Sequence, residues 1–194
     1  FTKSIEIFRN FTDAYVERAK AYEKLNHLEL AAQDYNQASQ ISSDNEEILY
    51  NAGRLFFEIK DYKKAIEKLD KSVTIKPNYL PSYQLLVKVH IANGNIPNAK
   101  IVSERALMKK NDADNNYVYG FTLFHLKDYA GAEKYFDIAL KKDDRLIDAY
   151  YYMADLKRIT GKNDDAISLC NQGLKINPND VRFFVLRSGI YKMK

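Results

Sequence analysis

Small and apolar positions recur along this chain at a spacing longer than a single helix. Residues 60–69 read KDYKKAIEKL and residues 127–136 read KDYAGAEKYF, and GNIPNAKIVS at 94–103 places Ala99 where Ala65 and Ala132 stand. Ala31, Ala65, Ala99, Ala132 and Ala166 therefore form one column, with steps of 34, 34, 33 and 34 residues. Ala19, Gly53, Val87, Gly120 and Ala154 form a second column, and Ala38, Ser72, Ala106, Ala139 and Gly173 a third. Large residues fill a fourth at Tyr22, Phe56, His90 and Leu123, which Lys157 interrupts; a fifth holds Tyr35, Leu69, Ser103, Phe136 and Cys170. Self-similarity at this period predicts one supersecondary unit per copy, none able to bury its apolar face alone. Each copy reads as helix A, a short turn, helix B and a second turn. The small columns fall where A and B must cross closely. A leucine at Ala65 would overpack that crossing by about 1–3 kcal/mol.

The punctuation agrees with this division. Gly94-Asn95 and Gly161-Lys162 mark two of the A/B turns, and the Lys-Asp pairs of the two opening phrases mark two more. Asp61 and Asp128 are placed to cap helix B, accepting from the free N–H groups of its first turn. Pro77 and Pro178 fall in the B-to-A turn, while Pro81 and Pro97 fall in a first helical turn, where the missing N–H costs nothing.

A helix–turn–helix unit of 34 residues with these columns resembles the tetratricopeptide repeat. The resemblance covers nearly the whole chain. Five repeats are expected at 12–45, 46–79, 80–112, 113–146 and 147–180. Residues 181–194 resemble the first helix of a sixth repeat or a capping helix, with Phe184, Ser188 and Tyr191 in register. Residues 1–11 resemble a partial preceding helix, with Ser4 and Phe8 at column positions. Val87, Ser103 and Lys157 depart from the pattern. The implied fold is all-α, a right-handed superhelical solenoid of antiparallel helix pairs. Neither end shows the polar outer face of a finished terminal repeat. Either the protein continues beyond both ends, or these apolar ends associate with another chain.

Composition narrows the function classes. Net charge is +4 with both signs interspersed, unlike the concentrated basic stripe of a nucleic-acid binder, so no nucleic-acid partner is expected. No run of ~18 apolar residues is present, so no direct membrane insertion is expected. Cys170 is the only cysteine; it allows no intrachain disulfide and leaves both a cytoplasmic and a bacterial periplasmic location open. The chain starts at Phe1 without an initiator Met or a signal peptide, and reads as a processed or excised piece.

Catalytic constellations are missing from the sequence. It has no Gly-rich phosphate loop, no Cys pair and no His-x-x-x-His spacing, so the expectation is a non-enzymatic chain with no cofactor and no metal. His27, His90 and His125 lie on different repeats, and His90 occupies a packing column. Cys170 reads as an inert core thiol. Asp143-Asp144 and Asp164-Asp165 read as turn and helix-start residues. Asn10-Phe11-Thr12 matches a glycosylation sequon, a pattern short enough to arise often by chance.

What the resemblance implies about function is a concave groove lined by helix A, through the second, fifth, ninth and twelfth positions of each repeat. The fifth-position row reads Val16, Tyr50, Gln84, Tyr117, Tyr151, Val185; the ninth, Lys20, Arg54, Lys88, Phe121, Asp155, Gly189; the twelfth adds Glu23, Phe57, Ile91, Phe124 and Arg158. Candidate partner-binding residues are therefore Lys20, Tyr50, Arg54, Phe57, Lys88, Tyr117, Phe121, Phe124 and Tyr151. The N-terminal half of this groove is expected to be basic and the remainder aromatic, which suits an extended peptide with an acidic and an apolar part. Tyr22, Tyr35, Tyr83 and Tyr150 fit packing columns instead. The carboxylate clamp of heat-shock co-chaperone repeats requires Lys and Asn, then Asn, then Lys and Arg. Here those positions hold Val16 and Lys20, Asn51, then Pro81 and Leu85; only Asn51 fits, so no clamp is expected. The resulting expectation is a scaffold that binds a partner protein or extended peptide in its groove. Two alternatives stay open: an architectural spacer or module that self-associates through its ends, and a regulatory domain of a longer enzyme.

Overall fold

The computed structural model describes residues 11–192; the partial helix expected ahead of residue 11 lies outside them. The described residues form eleven helices and no strand: α1 (Thr12–Lys24), α2 (Leu28–Ile41), α3 (Glu46–Glu58), α4 (Tyr62–Ile75), α5 (Leu80–Ala92), α6 (Ile96–Lys109), α7 (Ala113–His125), α8 (Tyr129–Lys142), α9 (Ile147–Ile159), α10 (Asn163–Ile176) and α11 (Val181–Lys192). They divide into two compact units, Phe1–Val102 and Ser103–Lys194. In the first, α1 packs on α2, α2 on α3, α3 on α4 and α4 on α5; in the second, α7 packs on α8, α8 on α9, α9 on α10 and α10 on α11.

Five turns share one hydrogen-bond geometry. The Asp61 N–H donates to the Phe56 carbonyl at 2.8 Å and the Lys60 N–H to that of Phe57 at 2.9 Å. The same pair of bonds recurs at Asn26-His27, Gly94-Asn95, Lys127-Asp128 and Gly161-Lys162. This double closure satisfies carbonyls that a helix end leaves free, and it demands a left-handed residue at the turn. That residue is Gly94 or Gly161 in two turns and Asn26, Lys60 or Lys127 in the other three, with φ between 57° and 76° throughout. The next helix is then capped: Asp61 accepts from the Lys64 N–H at 3.2 Å and Asp128 from the Gly131 N–H at 3.0 Å.

The small columns are closed to solvent; Ala19, Ala31, Ala65, Ala99, Ala132, Ala154 and Ala166 have no exposed surface. At Gly53 a Cβ would stand 2.7 Å from Leu69 Cγ, and at Gly120 2.9 Å from the Phe136 ring. The departures from the pattern are also buried. Val87 and Ser103 have no exposed surface. Lys157 covers its column with its alkyl stem while its ammonium reaches Glu133 on α8 at 2.6 Å. Cys170 lies in the core, where burial pushes its thiol up to about 11. His90 is buried, which holds its imidazole below the ordinary range, and its Nδ1 has no hydrogen-bond partner among the described residues. Tyr35 and Tyr83 are core residues, and Tyr22 and Tyr150 are half-buried.

Helix α11 buries one face only. Phe183, Leu186 and Ile190 pack with Ala154, Ala166, Leu169 and Cys170 of α9 and α10. Phe184, Ser188 and Tyr191, the positions in register with the A/B packing columns, are exposed. Residue 188 corresponds to Ala154, which α10 covers completely. A helix A has one face for the preceding repeat and another for its own helix B, and on α11 only the first is occupied within the described residues.

Candidate functional site: the helix A faces of the two units

In the first unit the expected basic surface is corrected by its partners. Arg54 donates to Glu23 on α1 and, at 2.8 Å, to Glu58 on its own helix. Lys20 is exposed and paired with Glu17 at 2.7 Å. Two of the three groove cations are thus neutralised by carboxylates, and Lys88 is the exposed third. The cause lies in the repeat itself: Glu23 precedes Arg54 by 31 residues, which brings the two together across adjacent A helices. The rings of this face are half-buried. Tyr50 meets Tyr79 edge-on at 5.8 Å, and Phe57 meets Tyr62 at 6.1 Å. Glu47, one helical turn before Tyr50, is exposed.

In the second unit the same helix positions build a ring cluster. Phe121 meets Tyr152 at 4.7 Å and His125 at 4.6 Å, both edge-on. Phe124 meets Tyr152 at 5.7 Å, and Tyr152 meets Tyr151 at 5.2 Å. Tyr151 then touches Phe183 of α11 at 5.8 Å. Phe121, Phe124, His125, Tyr151 and Tyr152 are all half-buried, so part of each ring faces outward. Such edge-on pairs each contribute about 0.5–1.5 kcal/mol beyond area burial. Tyr117 differs: only 7% exposed, it stacks on Phe121 at 6.0 Å and lies over Phe136 at 6.2 Å. It is a packing residue beneath the cluster and offers a partner little surface. Burial raises the phenols of Tyr117 and Tyr152, with Asp148 adding to both, and burial lowers the imidazole of His125. The cluster is uncharged at neutral pH.

Its charged neighbours are internally paired. Arg158 donates twice to Asp155, at 2.6 and 2.8 Å. Arg182, at the start of α11, lies over the Tyr151 ring at 5.1 Å and donates to Asp148 at 2.8 Å and Asp180 at 2.7 Å. Tyr152 and His125 escape the choice of groove positions, because each lies one residue outside the stripe. The run Tyr150-Tyr151-Tyr152 is the available signal: three consecutive rings on a helix must spread over both of its faces.

Comparison with known proteins agrees with this geometry at the level of the fold. A family model described as "Tetratricopeptide repeat" matches residues 12–79, and a second of the same description matches residues 147–180. The chain belongs to the tetratricopeptide repeat family, whose all-α helix-pair fold serves protein–protein interaction in general. No curated protein sequence matches it. Among solved structures, a thermophilic TPR protein of Thermus thermophilus is 19% identical, aligned over 93% of this chain and 99% of its own, with a TM-score of 0.78. YrrB, described as a TPR protein with an unusual peptide-binding site, is 21% identical over 97% of each chain, with a TM-score of 0.65. Pseudomonas aeruginosa PilF is 20% identical over 97% of this chain and 86% of its own, with a TM-score of 0.72. These likenesses bear on the fold. No helix among the described residues is long and apolar enough to cross a membrane, and those residues hold no group of three or more His, Cys, Asp or Glu side chains arranged for a metal ion.

Proposed function

We propose that this chain is a non-enzymatic interaction module that binds an extended segment of a partner protein on its helix A faces. The observation that carries this reading is the half-buried ring cluster of the second unit, Phe121, Phe124, His125, Tyr151 and Tyr152. It presents outward-facing apolar surface fixed by ring-on-ring packing, so little side-chain entropy is lost when a partner covers it. Tyrosine is among the residue types that dominate binding energy at interfaces. Lys20, Tyr50, Arg54, Phe57 and Lys88 would form the contact surface of the first unit, with Tyr117 supporting the second from below. YrrB, with its peptide-binding site, is a precedent for peptide recognition on this fold.

The test begins with partners captured from lysate and mapped to a minimal peptide. That peptide is then titrated against the wild type and against Phe124→Ala and Tyr151→Ala, with circular dichroism as the check on folding. Each variant should weaken binding by about thirtyfold, the loss of one hot-spot ring at ~2 kcal/mol. Equal affinity for all three proteins removes the contact from this face.

A second reading rests on α11, where Val181 and Val185 are 67% and 66% exposed beside Phe184 and Tyr191. An apolar stripe of this kind favours association through the end of the chain. Phe184→Glu with Val185→Lys should abolish capture under that reading and leave it unchanged under the first.

A further inference from the structure

The Arg182 arrangement shows how a helix A face of this chain holds a cation. Asp148 and Tyr151 stand one turn apart on α9, and the guanidinium supplied by the second residue of α11 lies over the ring with its N–H donors on the carboxylate. Three repeats earlier the same positions hold Glu47 and Tyr50 on α3, and the second residue of α5 is Pro81. There the chain supplies the carboxylate and the ring but no arginine from the next A helix; Lys20, which lies near enough to feel the Glu47 charge, is hydrogen-bonded to Glu17 instead. Tyr79, in the place of Asp180, adds a second ring at 80° to Tyr50, with centroids 5.8 Å apart. The side chain of Glu47 is exposed and has no ion-pair partner among the described residues, unlike its neighbour Glu46, which binds Lys76. Lys76 also stands over the Tyr79 ring at 5.9 Å, so a tethered cation already approaches this corner. Of the cations on the surrounding face, Lys88 on α5 is exposed and the other two are already engaged. Lys20 is neutralised by Glu17, and the single Arg54 is shared by two carboxylates, Glu23 and Glu58.

We propose that Glu47, Tyr50 and Tyr79 form a subsite for a cationic side chain, arginine or lysine, of the bound segment. This rests on the groove reading above and reverses the acidic ligand expected from the sequence for this half of the face. A cation over the Tyr50 ring gains the quadrupole attraction, and Glu47 supplies the opposite charge that Asp148 gives Arg182.

The probe is N-acetyl-arginine amide, titrated into the whole chain while the ring resonances of Tyr50 and Tyr79 are followed by NMR. Its uncharged counterpart, N-acetyl-citrulline amide, is the control. The arginine probe should move both rings saturably and the citrulline probe should not. Glu47→Gln, an exposed change that leaves the fold intact, should weaken the response about fivefold. Pro81→Arg places an arginine where Arg182 stands three repeats later; it should occupy the subsite internally and remove the response to added probe. Equal responses to both probes, no response to either, or a response unaffected by Glu47→Gln overturns the cation subsite. The mapped partner peptide separates this failure from that of the groove. If its binding depends on Phe124 and Tyr151 but not on Glu47, the groove reading stands and the subsite falls. If binding depends on none of them, both fall.

Discussion

On α3 the fifth, ninth and twelfth positions of the repeat hold Tyr50, Arg54 and Phe57; on α7 they hold Tyr117, Phe121 and Phe124. The two triplets differ in chemistry at one position. Arg54 gathers Glu23 and Glu58 around it, and its face becomes an ion-paired surface with isolated ring pairs at its margins. Phe121 gathers Tyr117, Tyr152 and His125, and its face becomes continuous aromatic surface. Beneath them the fifth column differs in the same sense, with Leu69 in one unit and Phe136 in the other, both fully buried. Turns, caps and small columns are common to both units. The scaffold is therefore indifferent to what the outward positions carry, and recognition can be changed there without rebuilding the helix pair.

The largest effect should come from the buried residues that distinguish the units. Phe136→Ala removes the ring under Tyr117 and Tyr152 and should cost about 3–5 kcal/mol, with Leu69→Ala toward about 2–4 kcal/mol. Urea denaturation gives both values, and near-ultraviolet circular dichroism should collapse for Phe136→Ala alone. If Leu69→Ala also erased the aromatic signal, the ring cluster would not be a property of the second unit. A smaller difference is expected from the glycines facing these residues. Gly53→Ala pushes on a leucine that can change rotamer, at about 1 kcal/mol, whereas Gly120→Ala pushes on a ring held between others, at about 2–3 kcal/mol. Equal melting temperatures for the two variants would remove that distinction. The smallest effect belongs to the outward positions. Arg54→Met should cost about 1 kcal/mol or less, and the loss should shrink in about 1 M salt, because its partners are partly exposed. Phe121→Met should show no such salt dependence.

Much of the fold is legible in the sequence because packing between two helices restricts size at fixed intervals. The alanine column, the capping Asp61 and Asp128 and the placement of Pro81 each follow from a local rule with a steric or hydrogen-bonding cause. The face chemistry is less legible. Periodicity gives the side of a helix on which Arg54 lies, but not that Glu23, one helix pair earlier, reaches across to it. The same limit hides the pairing of Lys157 with Glu133 and of Arg182 with Asp148. Opposite charges 31 or 34 residues apart, close to one repeat period, mark the Arg54 and Arg182 pairs, whereas Glu133 and Lys157, 24 apart, carry no such mark. Tyr117 departs from its expected role for a related reason: a fifth-position side chain points outward only when the neighbouring repeat leaves it room, and Tyr152 of the next repeat packs against it while Phe136 lies beneath.

The left-handed lysines have a practical consequence. Lys60 and Lys127 are exposed, one in each unit, and each occupies the middle of an A/B turn. Trypsin recognises such residues readily, but the bond that follows each is pinned, since the next N–H is committed to a carbonyl of the preceding helix. Cleavage there must wait for that helix pair to open. The rate of nicking at Lys60 therefore clocks local opening in one unit and the rate at Lys127 in the other. A partner that settles on only one face would slow one clock and leave the other running.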